Sequence, residues 1–227
     1  MSTVLITGAA RGLGLDFTRQ YAAKGWKVLA CARTSDGLKG VRGDVHHHPL
    51  EVTDYKAVKA LARQLAGEAV DVLICNAGIG GNQGAAATQA LGSQDPAVWR
   101  EIFEVNALAP LMMAEAFVEH VARSQQKKLI AITSILGSIA NNAGGRYAYR
   151  ASKTALNMEW SCLAKDLAGR SVICVTLHPG WVQTDMGGPT ASLTIEQSVP
   201  SMVKVIEGLK PSDNGRYVSY DGSELAW

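Results

Sequence analysis

The chain lacks a basic-then-apolar leader, and none of its apolar runs approaches about 18 residues. Neither a secretory nor a membrane-spanning segment is therefore expected, and the expected address is cytoplasmic. Charge of one sign is also scarce: 22 Lys and Arg against 20 Asp and Glu leave a formal net charge of +2. With no basic stripe interleaved with aromatics, nucleic acid is not an expected partner. Cysteine is sparse, and Cys31, Cys75, Cys162 and Cys174 lie scattered in apolar runs with no CxxC pair. Buried, reduced thiols are expected rather than disulfides or metal ligands. The run His46, His47, His48 heads an expected strand, where alternate side chains point to opposite faces and cannot readily share one metal. No other convincing set of metal ligands is present, so a metal is not expected.

What is present is a chain of 227 residues, 47% hydrophobic and 19% charged, enough for one well-buried domain over 1–227. Short β-branched runs alternate with amphipathic stretches. Strands are expected at 2–7, 27–32, a run ending near Glu51, 70–75, 128–133, 171–177 and 215–220. Helices are expected at 12–24, 54–66 (Asp54 as its cap), about 96–123, 147–168 and 195–208. Repeated strand-then-helix order implies an α/β fold with a mostly parallel sheet covered on both faces. The small-residue segment 78–96 reads as a mobile loop within that domain.

"TGAARGLG" places Gly8, Gly12 and Gly14 between the first strand and the first helix. Glycines there allow a sharp turn and a close approach to a pyrophosphate, which a helix N-terminus favours. The spacing is GxxxGxG, and the Walker pattern is absent. At the end of strand two, a carboxylate would bond a ribose 2′-hydroxyl and a base would accept a 2′-phosphate. The chain has Arg33 there, and Arg11 inside the glycine turn, which favours NADP(H) over NAD(H). In "YAYRASK" (147–153), helical register pairs Tyr149 with Lys153 at i, i+4 and leaves Tyr147 out of register.

TGxxxGxG, "NAG" at 76–78, "VNALAP" at 105–110, "ITS" at 132–134, YxxxK at 149–153 and "PGWVQTDM" at 179–186 stand in the order seen in short-chain dehydrogenases/reductases. The resemblance spans essentially the whole chain. "TSILGS", "GGRYAYRASKTALNM" and the ending "GRYVSYDGSELAW" look most like the sniffer/C-factor-type carbonyl reductases of that superfamily. It implies a Rossmann-type doubly wound parallel sheet of about seven strands in a single domain. Tyr149 would be the general acid/base, Lys153 its partner, Ser134 the substrate-orienting hydroxyl, and Asn106 a support for a water-linked proton relay. The Ser134-to-Tyr149 separation is slightly longer than usual, which leaves Ser138 as a second candidate.

For the cofactor, the resemblance implies contacts from Gly8, Arg11, Gly12, Leu13, Gly14, Arg33, Asn76, Ala77, Gly78, Tyr149 and Lys153. Pro179 and Val182 would also contact it, and Gly180 and Thr184 would border the nicotinamide. Glu51 and Val52 occupy the adenine position, where Glu51 departs from the usual Asp. Leu136, Tyr147, Trp181 and Met186 are candidate pocket walls. They are apolar or aromatic, and the short lid after Thr184 suggests an open or partner-completed pocket. The substrate is thus expected to be a modest hydrophobic or aromatic ketone or aldehyde.

The chemistry has a physical reason. A carbonyl receiving a hydride becomes an alkoxide that needs a proton. A tyrosine, with a reference pKa of about 10, shuttles one at neutral pH only when its phenolate is stabilised. A neighbouring ammonium does this, and a serine hydroxyl can hold and polarise the carbonyl. A cofactor-binding sensor of C-factor type is the alternative; a dehydratase or epimerase usually carries a larger C-terminal region. His178 is expected to be a satisfied buried histidine. Trp99, Met158 and Trp160 are expected to serve core or subunit packing, and the helices near 97–122 and 149–168 to form a homodimer or homotetramer.

Overall fold

A computed structural model describes residues 1–80 and 90–227. Residues 81–89, within the segment expected to be a mobile loop, lie outside the described residues. The chain alternates β1 (Thr3–Thr7), α1 (Gly12–Ala23), β2 (Lys27–Ala32), β3 (Val45–Pro49), α2 (Tyr55–Gln64) and β4 (Val72–Cys75). It continues with α3 (Pro96–Phe103), α4 (Ala109–Ala122), β5 (Lys128–Ile132), α5 (Tyr147–Asp166), β6 (Ile173–His178), α6 (Ile195–Gly208) and β7 (Tyr217–Ser219). The seven strands form one sheet in the order β3-β2-β1-β4-β5-β6-β7, and every pairing is parallel.

The strand residues alternate between two cores because successive side chains leave opposite faces of the sheet. Leu5, Leu29, Leu73 and Leu129 join Val58, Phe117 and Trp160 under α2, α4 and α5. Val4, Ile6, Val28, Ile74 and Ile130 join Phe17, Tyr21, Met202 and Ile206 under α1 and α6. A sheet covered on both faces explains why β1 and β4 are buried at every residue. The winding reverses between β1 and β4, so a crevice opens beyond the carboxyl ends of those strands, where ligands bind in such sheets.

Local signals behave as expected at several ends. Asp54 accepts from the Ala57 amide at 3.0 Å, and Thr194 and Gln197 form a reciprocal capping box at the start of α6. The expected continuous helix over 96–123 is corrected: α3 and α4 are joined by a five-residue π-helical segment, Glu104–Leu108. Pro110 explains it. Proline has no N–H to give the carbonyl four residues back, that of Asn106, and its ring crowds it. A π-bulge absorbs the misfit and re-aims the residues within it. The cysteine expectation is also corrected in part, since Cys162 is exposed while Cys31, Cys75 and Cys174 are buried. Cys162 lies four residues from Met158 on the outer face of α5, and Met158 is 64% exposed.

Each histidine of the run has its own setting. His46 contacts Asp44, His47 contacts the Ala32 carbonyl, and burial and neighbouring cationic groups push His48 down. No described helix is long and apolar enough to cross a membrane.

Candidate active site

The glycine turn sits at the carboxyl end of β1. A Cβ on Gly14 would stand 2.2 Å from the Gly8 carbonyl oxygen and 2.6 Å from Asn76 Nδ2, so only glycine lets the helix start this close to the strand. Asn76 stitches β4 to β1 beneath the turn: its side chain donates to the Thr7 carbonyl at 2.9 Å. Its own amide and that of Ala77 donate to Thr7 Oγ1. Gly12 has φ +52, and a Cβ there would meet only Thr184 Cγ2 at 3.9 Å, so the turn faces open space. No side chain caps the N-terminus of α1, and its first turn holds no acid. Open space before uncapped amides fits a pyrophosphate.

Val52 is buried and lines a small apolar recess with Thr7, Ala77, Val105 and Met113. Leu13 is partly buried beside the core under α1. Of the charged candidates, Arg33 meets Glu51 at 3.6 Å and Arg11 meets Asp185 at 3.3 Å, all four exposed. Pro179 accepts from Ser198 Oγ at 2.6 Å. Gly180 turns at φ +81, and Val182 pairs with Leu193.

The first turn of α5 separates the two tyrosines as register predicts. Tyr149 and Lys153 are 7% and 5% exposed, whereas Tyr147 is 39% exposed. Ser134 lies at the end of β5, hydrogen-bonds to Tyr149, and accepts from the Leu136 amide at 3.2 Å. Ser138 is engaged elsewhere: it accepts from the Asn141 amide and side chain at 3.1 and 2.9 Å and lies 3.5 Å from the Trp227 carbonyl. Ser134, not Ser138, therefore meets the tyrosine.

Asn106 lies inside the π segment, fully buried. Its Oδ1 accepts from the Ile79 amide at 2.8 Å, and its Nδ2 donates to the Ile79 carbonyl and to Ser152 Oγ. Ser152 in turn donates to the Tyr149 carbonyl at 2.8 Å. A Cβ on Gly78 would sit 3.3 Å from Asn106 Oδ1 and 3.7 Å from Lys153 Nζ, so these groups converge on one spot.

The electrostatics differ from expectation. Burial pushes the Tyr149 phenol up, while the Arg146 guanidinium and the Ser134 hydrogen bond push it back. The Lys153 ammonium donates to the Ile132 carbonyl at 2.9 Å, and burial pulls it down to about 8.

Around the mouth, Tyr147, Trp181 and Met186 are each more than a third exposed, and Leu136 is partly buried. The segment after Thr184 folds on itself. Gln183 and Leu193 donate to Leu193 and Trp181 carbonyls across its neck, and the Trp181 indole donates to the Gly187 carbonyl at 2.9 Å.

The family model described as short chain dehydrogenase matches residues 2–193. The chain belongs to the short-chain dehydrogenase family. It is therefore an NAD(P)-dependent oxidoreductase by family. The C-signal of Myxococcus xanthus is 43% identical over 171 residues, covering 75% of this chain and 100% of that protein. The carbonyl reductase Sniffer of D. melanogaster superposes with a TM-score of 0.89 at 32% identity, covering 100% of both chains. The NADPH-bound carbonyl reductase from chicken fatty liver gives 0.89 at 32%, covering 100% of this chain and 99% of that one.

Three residues of this short-chain dehydrogenase escaped the sequence reading. The Tyr217 hydroxyl, from β7, donates to the Ser134 carbonyl at 2.6 Å across 83 positions. Asn157 accepts from Thr133 Oγ1 at 2.7 Å and hydrogen-bonds Tyr217, completing a buried network behind Ser134. Arg146 lies over the Tyr149 ring, 4.7 Å from its centroid. No periodicity announces contacts of the first kind; the GGR just before the tyrosine was a local signal for the last. His178 is buried as expected, yet its Nδ1 has no partner among the described residues, and burial pulls it down to about 4.

Proposed function

We propose that the protein is an NADPH-dependent carbonyl reductase acting reversibly on modest hydrophobic or aromatic ketones and aldehydes, with Tyr149 as general acid/base. The observation that carries this reading is the buried Ser134–Tyr149 hydrogen bond with Lys153 one turn further on, all beside the glycine turn. The nicotinamide, when bound, supplies a hydride to the carbonyl carbon. Tyr149 Oη gives its proton to the carbonyl oxygen as charge develops there, and takes one back in the reverse direction. The Ser134 hydroxyl holds the carbonyl oxygen against the phenol. Lys153 keeps a buried ammonium beside the tyrosine, and Asn106 braces the segment behind both. Asn106 would also support a water-linked proton relay beside the tyrosine.

Arg33 and Arg11 would receive the 2′-phosphate, Val52 the adenine, and Gly12, Leu13, Gly14 and Thr184 the remainder of the cofactor. The apolar walls Leu136, Tyr147, Trp181 and Met186 favour uncharged substrates. One domain over 1–227 and a cytoplasmic homodimer or homotetramer complete the proposal.

The test is a panel of ketones and aldehydes scored by oxidation of NADPH and of NADH, run on the native chain and on Tyr149→Phe. Turnover of apolar carbonyls, cut by about 10²–10⁴-fold in the variant, is expected. Undiminished turnover in Tyr149→Phe, or activity confined to highly charged substrates, would refute it. A second reading, a cofactor-binding signalling protein, is favoured by the 43% identity to C-signal. Tight NADPH binding with no turnover across the panel would select it.

A further inference from the structure

The residues leading into α5 adopt a backbone that L-amino acids avoid. Gly144, Gly145 and Arg146 have φ of 76°, 66° and 48°, three left-handed residues in succession. Glycine accepts this without penalty, but at Arg146 the Cβ makes it a strained conformation. The turn is fastened from within the helix: Arg150 Nε donates to the Gly144 and Gly145 carbonyls at 3.0 and 3.1 Å. The Gly144 amide also donates to Asn142 Oδ1 at 2.9 Å.

This strained, fastened turn delivers the Arg146 guanidinium onto the face of the Tyr149 ring, with Cζ 4.7 Å from the centroid. That is the geometry of a cation–π contact. The guanidinium is not there to satisfy a carboxylate, because its Nη2 is buried without a hydrogen-bond partner among the described residues. A cation is thus held, at a backbone cost, against the ring assigned as the acid/base.

We propose that Arg146 is a second charge that tunes Tyr149 beside the Lys153 ammonium, stabilising its phenolate relative to its phenol from the ring face. The proposal rests on the reading of Tyr149 as the proton-exchanging group. Other groups face the tyrosine. Ser134 hydrogen-bonds it from the turn after β5, and Tyr217 of β7 lies within electrostatic reach. Lys153, one turn on in α5, directs its ammonium to the Ile132 carbonyl. Arg146 is a cation whose field opposes the effect of burial on the phenol. Arg146 is a positioning residue in this sense: it acts through Tyr149 rather than on the substrate.

Glycine is the informative substitution, because it removes the charge while adopting φ of 48° without strain. Arg146→Gly is expected to melt at or above the native temperature. Its rate of alcohol oxidation, which rises with pH as Tyr149 ionises, should rise about one pH unit later than in the native chain. Arg146→Lys should stay close to native. A second readout needs neither cofactor nor turnover: the ring ¹³Cζ signal of Tyr149 in tyrosine-labelled protein, identified by its loss in Tyr149→Phe. Its titration should move upward in Arg146→Gly by the same interval. A limb and a titration both unmoved in Arg146→Gly would overturn the proposal, as would equal displacements in the Gly and Lys variants. Full activity in Tyr149→Phe would instead overturn the reading of the site, and the ¹³C titration would still report whether Arg146 tunes the ring.

Discussion

At the scale of single residues, the two arginines expected to read the cofactor are each held by a carboxylate. Arg33 lies 3.6 Å from Glu51, with side chains 72% and 45% exposed. Such a pair is weakly bound and screened by salt, so a dianionic phosphate competes well for the guanidinium. Arg33→Ala is therefore expected to raise KM for NADPH about tenfold while leaving KM for NADH within about twofold. Steady-state kinetics with both cofactors check this, and equal losses would remove Arg33 from cofactor selection. The choice between tyrosines belongs to the same scale and was legible because helix register is local. Position 149 shares the buried face with Lys153, and position 147 does not. Tyr147→Phe should accordingly turn over within about twofold of native, against the deep loss at Tyr149. The choice between Ser134 and Ser138 was not settled by spacing; it took the partners of Ser138 in the folded chain to decide it.

Elements carry the next layer. β7 is only three residues long, yet Tyr217 on it anchors the turn that presents Ser134. Tyr217→Phe keeps the ring in the core and deletes the 2.6 Å hydrogen bond. We expect kcat to fall about tenfold with cofactor affinity unchanged, as a loosened orienting hydroxyl would produce. Unchanged kcat would make the bond purely structural.

In α5, Glu159 has a buried Oε2 with no partner among the described residues, and burial pushes its carboxyl up to about 7. A raised carboxyl contributes stability that is complete below its ordinary 4.5 and is lost as pH rises through about 7. Glu159→Gln should remove that loss and gain about 1–2 kcal/mol at pH 8 relative to native, read from denaturant melts at both ends of the window. The strand and helix pattern was legible because period 2 and period 3.6 are written into consecutive residues. The π segment between α3 and α4 was not, although Pro110 stood in plain sight. A proline in the middle of an expected helix can kink, bulge or end it, and the tertiary pull on Asn106 selects among these.

For the whole molecule, the outer face of α5 exposes Met158 and Cys162, an apolar surface a monomer gains nothing by showing to water. Sedimentation velocity is expected to give twice or four times the mass of one chain, and Met158→Glu to shift it toward the monomer. A monomeric native protein would refute this. A mostly parallel sheet was foreseeable from strand-helix alternation because parallel neighbours need crossovers, whereas its doubly wound form was implied by the family resemblance. The buried network of Thr133, Asn157, Tyr217 and Ser134 was not, since it draws on three elements that meet only when the sheet is closed.

Because every strand runs the same way, the molecule has a front and a back. Met1, 87% exposed, precedes β1 at the back, whereas Trp227 rests at the front, its carbonyl accepting from the Ala140 amide at 3.0 Å. A protein fixed to a resin or electrode through residue 1 would turn the edge that bears the candidate site to the solution. One fixed beside residue 227 would press that edge against the support.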